Sequence, residues 1–355
     1  MRLALRLGRR GLGRTSPNPA VGAVVVRAGR VVGRGHHRKA GAPHAEVEAL
    51  RNAGALARDG TLYVTLEPCN HHGRTPPCTE AILSAGVRTV VVGVRDPNPS
   101  VAGKGVERLR RRGIEVQVGV EEAACAELLA PFRKYVEMGL PLVTLKLAAS
   151  LDGRIATRDG ESRWITGPSA RRWVHRLRNE MDAVMVGAQT VIDDDPLLTC
   201  RLPGGRDPLR VIVDGRLRIP LGARVLTNEA APGTLIATVT SKPRTLESLR
   251  RRGATAFVLP GRNGVLSLRR LLRLLAKRGV SSVLIEGGAT LAAHALRERV
   301  VDRLLLFYGP KLIGADGRPM LGPLGVASLA DAPQLEDLRV TKVGADFVLR
   351  ARLGG

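Results

Sequence analysis

Aromatic residues are nearly missing. Two Trp, three Tyr and four Phe make up 3% of 355 residues. Cores must therefore be built from Val, Leu, Ile and Ala, and a hydrophobic content of 44% supplies enough of them. No apolar run approaches the roughly 18 residues of a membrane span, so no membrane partner is expected. The first stretch, MRLALRLGRRGLGR, scatters arginine through its apolar residues and lacks the apolar core of a secretory signal. Acidic residues are also short, 32 against 56 Lys and Arg, which leaves a formal charge of +24. Such a charge can draw nucleic acid or an anionic surface. Here the cations are mostly Arg, spread along the chain, without aromatic–basic interleaving or zinc-finger spacing. We read them as a solvated face and expect no nucleic-acid partner; a phosphorylated small substrate would gain from the same field. Cysteine is limited to Cys69, Cys78, Cys125 and Cys200.

Two of those cysteines carry chemistry. The stretch from His44 to Cys78 reads HAEVEAL and then YVTLEPCNHHGRTPPC. One imidazole and two thiols, His44, Cys69 and Cys78, suit a catalytic zinc that keeps a fourth position for water. Glu46, two residues past His44, is the natural proton shuttle. The constellation H-x-E…P-C belongs to zinc deaminases, in which a carboxylate beside the metal, but not on it, moves protons. A structural zinc is the alternative, with His71 or His72 as fourth ligand. Cys125 and Cys200 have no ligand-like spacing. Thiolates beside zinc call for a reducing compartment, the cytoplasm.

The length exceeds one ordinary domain, and we expect two, over 1–140 and 141–355. The first shows a basic helix, a hairpin from Ala20 with its return strand at Val31–Val32, and a helix after Pro43 with His44 and Glu46 on its first turn. Strand Thr61–Leu66, helix Cys78–Ala85, strand Val87–Val94, helix Val106–Arg112 and strand Ile114–Val118 follow, then a long helix over Glu121–Gly139. The second opens on strand Leu142–Ser150 and a turn, Leu151–Thr157. Helix Ser169–Glu180, strands Ala183–Gly187 and Leu209–Val213, helix Leu266–Arg278, and a strand–glycine–helix run over Ser282–Leu296 come next. Strand Arg303–Tyr308, a loop over Gly309–Pro319 and strands within Leu338–Leu353 close the chain. Residues 216–260 read as short strands between Gly/Pro turns. Both halves are α/β. The pair Gly287–Gly288 between strand and helix is either a plain turn or a place where backbone amides meet a phosphate.

The segments TSPNPAVGAVVV, GHHRKAGAPHAEVEAL, TLEPCNHHGRTPPC, VRDPNPSVAGKG, LKLAASLDGRIA, GESRWITG, DDDPLLT and LIEGGATLA together resemble the bifunctional riboflavin-pathway deaminase/reductases, over essentially the whole chain. The resemblance implies a cytidine-deaminase-like α/β/α domain followed by a dihydrofolate-reductase-like α/β domain. It implies one zinc per chain on His44, Cys69 and Cys78, with Glu46 as acid/base. The implied substrate is 2,5-diamino-6-ribosylamino-4(3H)-pyrimidinone 5′-phosphate, a phosphorylated pyrimidine, contacted by Asn18, His71 and Lys104. For the second half it implies NADPH. The nucleotide contacts would be Ala148, Trp164, Thr190, Asp194, Gly215 and the run Gly288, Ala289, Thr290, Leu291, Ala292, Ala293 and His294. The substrate contacts would be Ser162, Arg178, Leu198, Arg201 and Glu286. Arg178 and Arg201 suit a phosphate, since guanidinium forks match its oxygens. Lys146 and Asp194 are both placed to give a proton or touch the imine. Gly215 departs from the pattern, which often has Ser there. The resemblance also implies a homodimer or larger homo-oligomer, formed through the reductase half.

Overall fold

The computed structural model describes residues 1–71, 76–99, 101–227 and 229–354. The chain divides into two compact units, Met1–Pro141 with Gly279–Ser281, and Leu142–Arg278 with Ser282–Gly355.

The first unit runs α1 (Arg2–Gly8), β1 (Gly22–Arg27), β2 (Arg30–His36), α2 (Ala45–Ala53), β3 (Thr61–Leu66), α3 (Cys78–Ala85), β4 (Thr89–Val94), α4 (Lys104–Arg111), β5 (Glu115–Val118) and α5 (Glu122–Met138). Its sheet has the order β2-β1-β3-β4-β5. β1 is antiparallel to β2 and β3, and β3, β4 and β5 are parallel. Ala23, Val24 and Val25 are consecutive and all buried, so both faces of β1 are covered. Two glycines show how. A Cβ on Gly22 would meet the Ala4 carbonyl oxygen at 2.0 Å, and one on Gly35 would meet that of Ala45 at 2.2 Å. Gly35 pairs with Ala23, the neighbour of Gly22, so the two glycines lie on opposite faces. α1 thus seats on one face and α2 on the other. α2 turns Ala45, Ala49, Leu50 and Ala53 inward, a helical apolar stripe. This close seating fixes the start of α2, where His44 and Glu46 stand.

The second unit runs β6 (Leu142–Ser150), β7 (Arg154–Ala156), α6 (Pro168–Glu180), β8 (Ala183–Gly187), α7 (Ala188–Asp194), β9 (Leu209–Val213), β10 (Thr234–Thr238), α8 (Pro243–Arg251), β11 (Thr255–Val258), β12 (Gly261–Arg262), β13 (Val265–Leu266), α9 (Leu268–Lys277), β14 (Ser282–Glu286), α10 (Ala289–Arg297), β15 (Arg303–Gly309), β16 (Arg318–Pro319), β17 (Leu335–Val343) and β18 (Asp346–Leu353). Its main sheet has the order β11-β10-β9-β8-β14-β6-β15-β18-β17. Pairing is parallel from β11 to β15 and antiparallel for the last two strands. The central strands are covered on both faces. In β8 the consecutive residues Ala183, Val184, Met185 and Val186 are all inaccessible, as parallel strands between helices require.

Three features differ from expectation. The stretch 216–260 contains a helix, α8, whose apolar side is the short pair Leu246 and Leu249, with Leu249 alone fully buried. α7 forms in a stretch where no element is expected; it runs into the Asp193–Asp195 run and buries only Ala188 and Val191. The turn Leu151–Thr157 holds a short strand, β7, that pairs with β16 inside the expected loop. No helix among the described residues is long and apolar enough to cross a membrane.

Candidate active sites

In the first unit, β3 delivers Cys69 just past its carboxyl end, α2 has His44 as its N-cap residue, and α3 begins at Cys78. His44 Nδ1 lies 3.2 Å from Cys78 Sγ and 3.6 Å from Cys69 Sγ. The three ligand atoms all fall within 4.8 Å of one another. One nitrogen and two sulfurs converging in this way fit a tetrahedral zinc with one position left for another ligand. The backbone N–H of Cys78 donates to Cys69 Sγ at 3.3 Å, which closes the loop between the two cysteines. The Cys69 thiol is pushed down to about 4, first by its hydrogen bond with Cys78 and then by His44, against the effect of burial. Cys78 moves the other way, because it holds the proton the two sulfurs share and is buried.

Glu46 is buried beside this cluster, 4% exposed. Burial raises its carboxyl to about 7, opposed chiefly by His44. A group poised there can both take and return a proton near neutrality.

Asn18 is brought close to the cluster through a residue the sequence reading left unassigned. Its Nδ2 lies 3.2 Å from Nε2 of buried His37, whose Nδ1 lies 3.1 Å from the Pro43 carbonyl oxygen. These contacts set one neutral tautomer: Nδ1–H donates to Pro43 and Nε2 accepts from Asn18. Burial lowers the His37 pKa and favours that neutral form. The His37 and His44 rings meet edge-on at 5.2 Å. His71 is exposed and is not one of the converging ligands. His72 lies outside the described residues. Lys104 is exposed on the first turn of α4, and its carbonyl oxygen accepts from Asn70 Nδ2 at 3.4 Å.

Glu67 was also passed over. Its buried carboxylate accepts four backbone N–H groups, from Asp96 at 3.2 Å, Gly103 at 3.0 Å, Gly105 at 3.0 Å and Val106 at 3.1 Å. It caps the start of α4 from a neighbouring strand end and ties that loop to the segment holding Cys69. This is why α4 begins at Lys104, two residues before the expected Val106. Glu67→Gln turns an amide NH2 toward some of those donors. We expect it to destabilise the first unit by about 2 kcal/mol, seen as an earlier melting transition with zinc still bound. An unchanged melting curve contradicts this role.

In the second unit a cavity of about 1130 Å³ opens at the carboxyl ends of β6, β8, β9 and β14, where ligands bind in open parallel sheets. Among the expected nucleotide contacts, Ala148, Trp164, Thr190, Asp194, Gly215, Gly288, Ala289, Thr290, Leu291 and His294 line it. Ala292 and Ala293 do not; they are buried on the inner side of α10. Gly288 is the N-cap residue of α10 at φ +82, and a Cβ there would lie 3.3 Å from Thr190 Oγ1. His294 also bonds away from the cavity, with Nε2 2.9 Å from Glu298 Oε1. The three aspartates act separately: Asp193 pairs with Arg318 at 3.3 Å, the Asp194 carbonyl accepts from Arg163 at 2.7 Å, and Asp195 accepts from the Arg224 N–H at 2.8 Å.

The expected substrate contacts Ser162, Arg178, Leu198, Arg201 and Glu286 line the same cavity. Arg178 also has partners within the protein. Its Nε and Nη2 donate to both oxygens of buried Glu286, at 2.7 and 2.8 Å, and its Nη1 donates to the Thr199 carbonyl at 3.1 Å. The fork thus faces Glu286, because a buried carboxylate needs a full partner. Arg201 remains exposed at the cavity, its backbone N–H donating to Nδ1 of His175 at 3.2 Å. Half-buried Lys146 joins the cluster; burial lowers its pKa, with Glu286 opposing. The cavity volume, the glycine approach to the α10 amides and the cationic lining suit a phosphorylated dinucleotide with a second phosphorylated molecule.

Residues 1–94 match the cytidine and deoxycytidylate deaminase zinc-binding region, and residues 141–349 match the RibD C-terminal domain. The riboflavin biosynthesis protein RibD of Aquifex aeolicus is 45% identical over 350 residues, covering 98% of this chain and 96% of its own. That of Escherichia coli is 42% identical over 98% of this chain and 97% of its own. Among solved structures, Acinetobacter baumannii RibD superposes with a TM-score of 0.88 at 41% identity, covering 100% of this chain and 98% of its own. The Thermotoga maritima diaminohydroxyphosphoribosylaminopyrimidine deaminase/5-amino-6-(5-phosphoribosylamino)uracil reductase does so with a TM-score of 0.88 at 39% identity, covering 100% and 97%.

Fold and sites together define a two-domain enzyme, a zinc-dependent deaminase of the cytidine deaminase type joined to a dihydrofolate-reductase-like, NADPH-dependent reductase. The chain belongs to the RibD family of riboflavin biosynthesis proteins.

Proposed function

We propose that this chain carries out two successive steps of riboflavin biosynthesis. It removes the 2-amino group of 2,5-diamino-6-ribosylamino-4(3H)-pyrimidinone 5′-phosphate as ammonia, then reduces the ribosyl side chain to a ribityl chain. The observation that carries this reading is the convergence of His44, Cys69 and Cys78 beside buried Glu46, in a chain whose other unit holds the cavity just described.

His44, Cys69 and Cys78 would hold the zinc, which would supply Lewis acidity and acidify a bound water. Glu46 takes one proton from the attacking water at its carboxylate and gives it to the ring nitrogen, then carries the remaining hydroxyl proton to the departing amine, which leaves as ammonia. Asn18, oriented by His37, holds the pyrimidine edge. The second cavity would hold NADPH, which when bound would supply the hydride for C1′ of the ring-opened imine. Lys146 is the proton donor to the imine nitrogen in this reading. It stands beside Glu286, and burial already favours loss of its proton, whereas the Asp194 segment is engaged with Arg163. Arg178 holds Glu286 in place, and Arg201 is left to meet the substrate phosphate. Metal analysis tests the first half. About one zinc per chain should survive dialysis, and Cys69→Ser should lose metal and ammonia release together. A Cys69→Ser protein that keeps both contradicts the ligand set.

The enzyme works in the cytoplasm, where its thiolates stay reduced. It pairs with a second copy through the second unit. Supporting this, β17 is an edge strand with Leu335, Leu338 and Val340 exposed, and Phe347 of β18 is exposed as well. Sedimentation should find a dimer or larger assembly that Leu338→Lys weakens; a monomeric wild-type protein rules this out.

A further inference from the structure

Gly215 follows β9, and its lack of a side chain has a steric cause. A Cβ there would meet the Gly264 carbonyl oxygen at 1.8 Å, because the tip of the β12–β13 hairpin closes onto this backbone. The Gly215 carbonyl accepts from Thr240 Oγ1 at 2.8 Å and Thr238 Oγ1 at 3.2 Å, and the Arg216 carbonyl accepts from Lys242 Nζ at 3.3 Å. The tie continues into a side chain. Arg216 Nη2 donates to the Asn263 carbonyl at 3.0 Å, and Arg216 lies so close along the tip that a Cβ on Gly264 would sit 2.6 Å from its Nε. The hairpin therefore leaves no room for a side chain at Gly215 and steadies the next one.

Arg216 lines the cavity and has no acidic partner among the described residues. The nearest carboxylate in sequence, Asp214, is buried and gives Oδ2 to the N–H groups of Arg218 and Ile219. A fixed guanidinium at a cavity rim with no counter-charge is an anion-reading group. Its place also fits one particular anion. The α10 amides lie at the end of β14, and β14, β8 and β9 are successive neighbours in the sheet. Two strand spacings, about 10 Å, separate that helix start from the end of β9. A dinucleotide with its pyrophosphate at α10 has a ribose within that reach, and only the adenosine ribose carries a further anion, the 2′-phosphate.

We propose that Arg216, steadied by the Asn263–Gly264 hairpin tip, binds the 2′-phosphate of NADPH and sets the preference of this enzyme for NADPH over NADH. The proposal rests on the reading of the second unit as a reductase. Arg218 also lines the cavity, but its Nη1 donates to Gln189 Oε1 at 3.2 Å, so it is the control.

The test is a titration of NADPH and of NADH into the full chain without pyrimidine, followed by nicotinamide fluorescence. Arg216→Gln should raise the Kd for NADPH roughly 10- to 100-fold, the loss of one charge-assisted contact, and leave NADH binding as it was. Arg216→Lys should keep part of the preference. If Arg216→Gln weakens both nucleotides alike, its role is structural and the proposal fails. It also fails if Arg218→Gln, and not Arg216→Gln, erases the preference. A wild-type chain that binds neither nucleotide overturns the reductase reading itself, and the proposal with it.

Discussion

Glu46→Gln stops ammonia release and leaves the reduction of a supplied, already deaminated intermediate intact. The amide fills the same buried space but can neither take the water's proton nor return it. A loss of about 10² to 10⁴ in the deamination rate is the expected range for removing such a group. Zinc should stay, because the converging ligand atoms come from His44, Cys69 and Cys78 and not from Glu46. Metal retention separates this variant from a ligand mutant, which loses both. The reductase rate should not move, because the cavity that carries it is lined from Lys146 onward. A fully active Glu46→Gln protein contradicts the proton-shuttle mechanism. A folded one that cannot reduce the supplied intermediate means that the two activities are coupled.

Gly288→Val should give the opposite pattern, with NADPH oxidation lost and ammonia release kept. Gly288 sits at φ +82, in a region where a β-branched residue costs of the order of 1–3 kcal/mol. A side chain there also approaches Thr190 Oγ1, at 3.3 Å from the Cβ alone, and crowds the amides at the start of α10. Circular dichroism and a melting curve must accompany the assay, since strain of this size can unfold a marginal domain. A folded variant that still oxidises NADPH at the wild-type rate removes the α10 start from the nucleotide site.

The sequence was most readable where a residue's role depends on its neighbours in the chain. Strands Thr61–Leu66, Leu142–Ser150, Ala183–Gly187 and Leu209–Val213 occur with the bounds that their apolar runs suggest. His44, Cys69 and Cys78 were visible because zinc chemistry restricts residue type and spacing, and the fold brings their ligand atoms together. α8 was hidden because its apolar side is a single i, i+3 pair, Leu246 and Leu249, too short to stand out among the expected turns. The partners of Glu67 and Arg178 were hidden for another reason. Arg178 meets Glu286 across 108 residues, and Glu67 gathers amides from a loop and a helix start that only the sheet order brings near. Gly215 looked like a lost contact until the hairpin above it was seen; neither residue type nor spacing encodes that closure.

The central claim is that one chain performs both reactions in order. Its most direct test gives the pure, zinc-loaded protein the diamino substrate and NADPH, and follows ammonia and NADPH oxidation separately. The account predicts ammonia first, then one NADPH oxidised for each ammonia released, a ratio of about 1 as the cofactor's two-electron chemistry requires. NADPH oxidation with no ammonia, or ammonia with no NADPH oxidation by a folded protein, contradicts it.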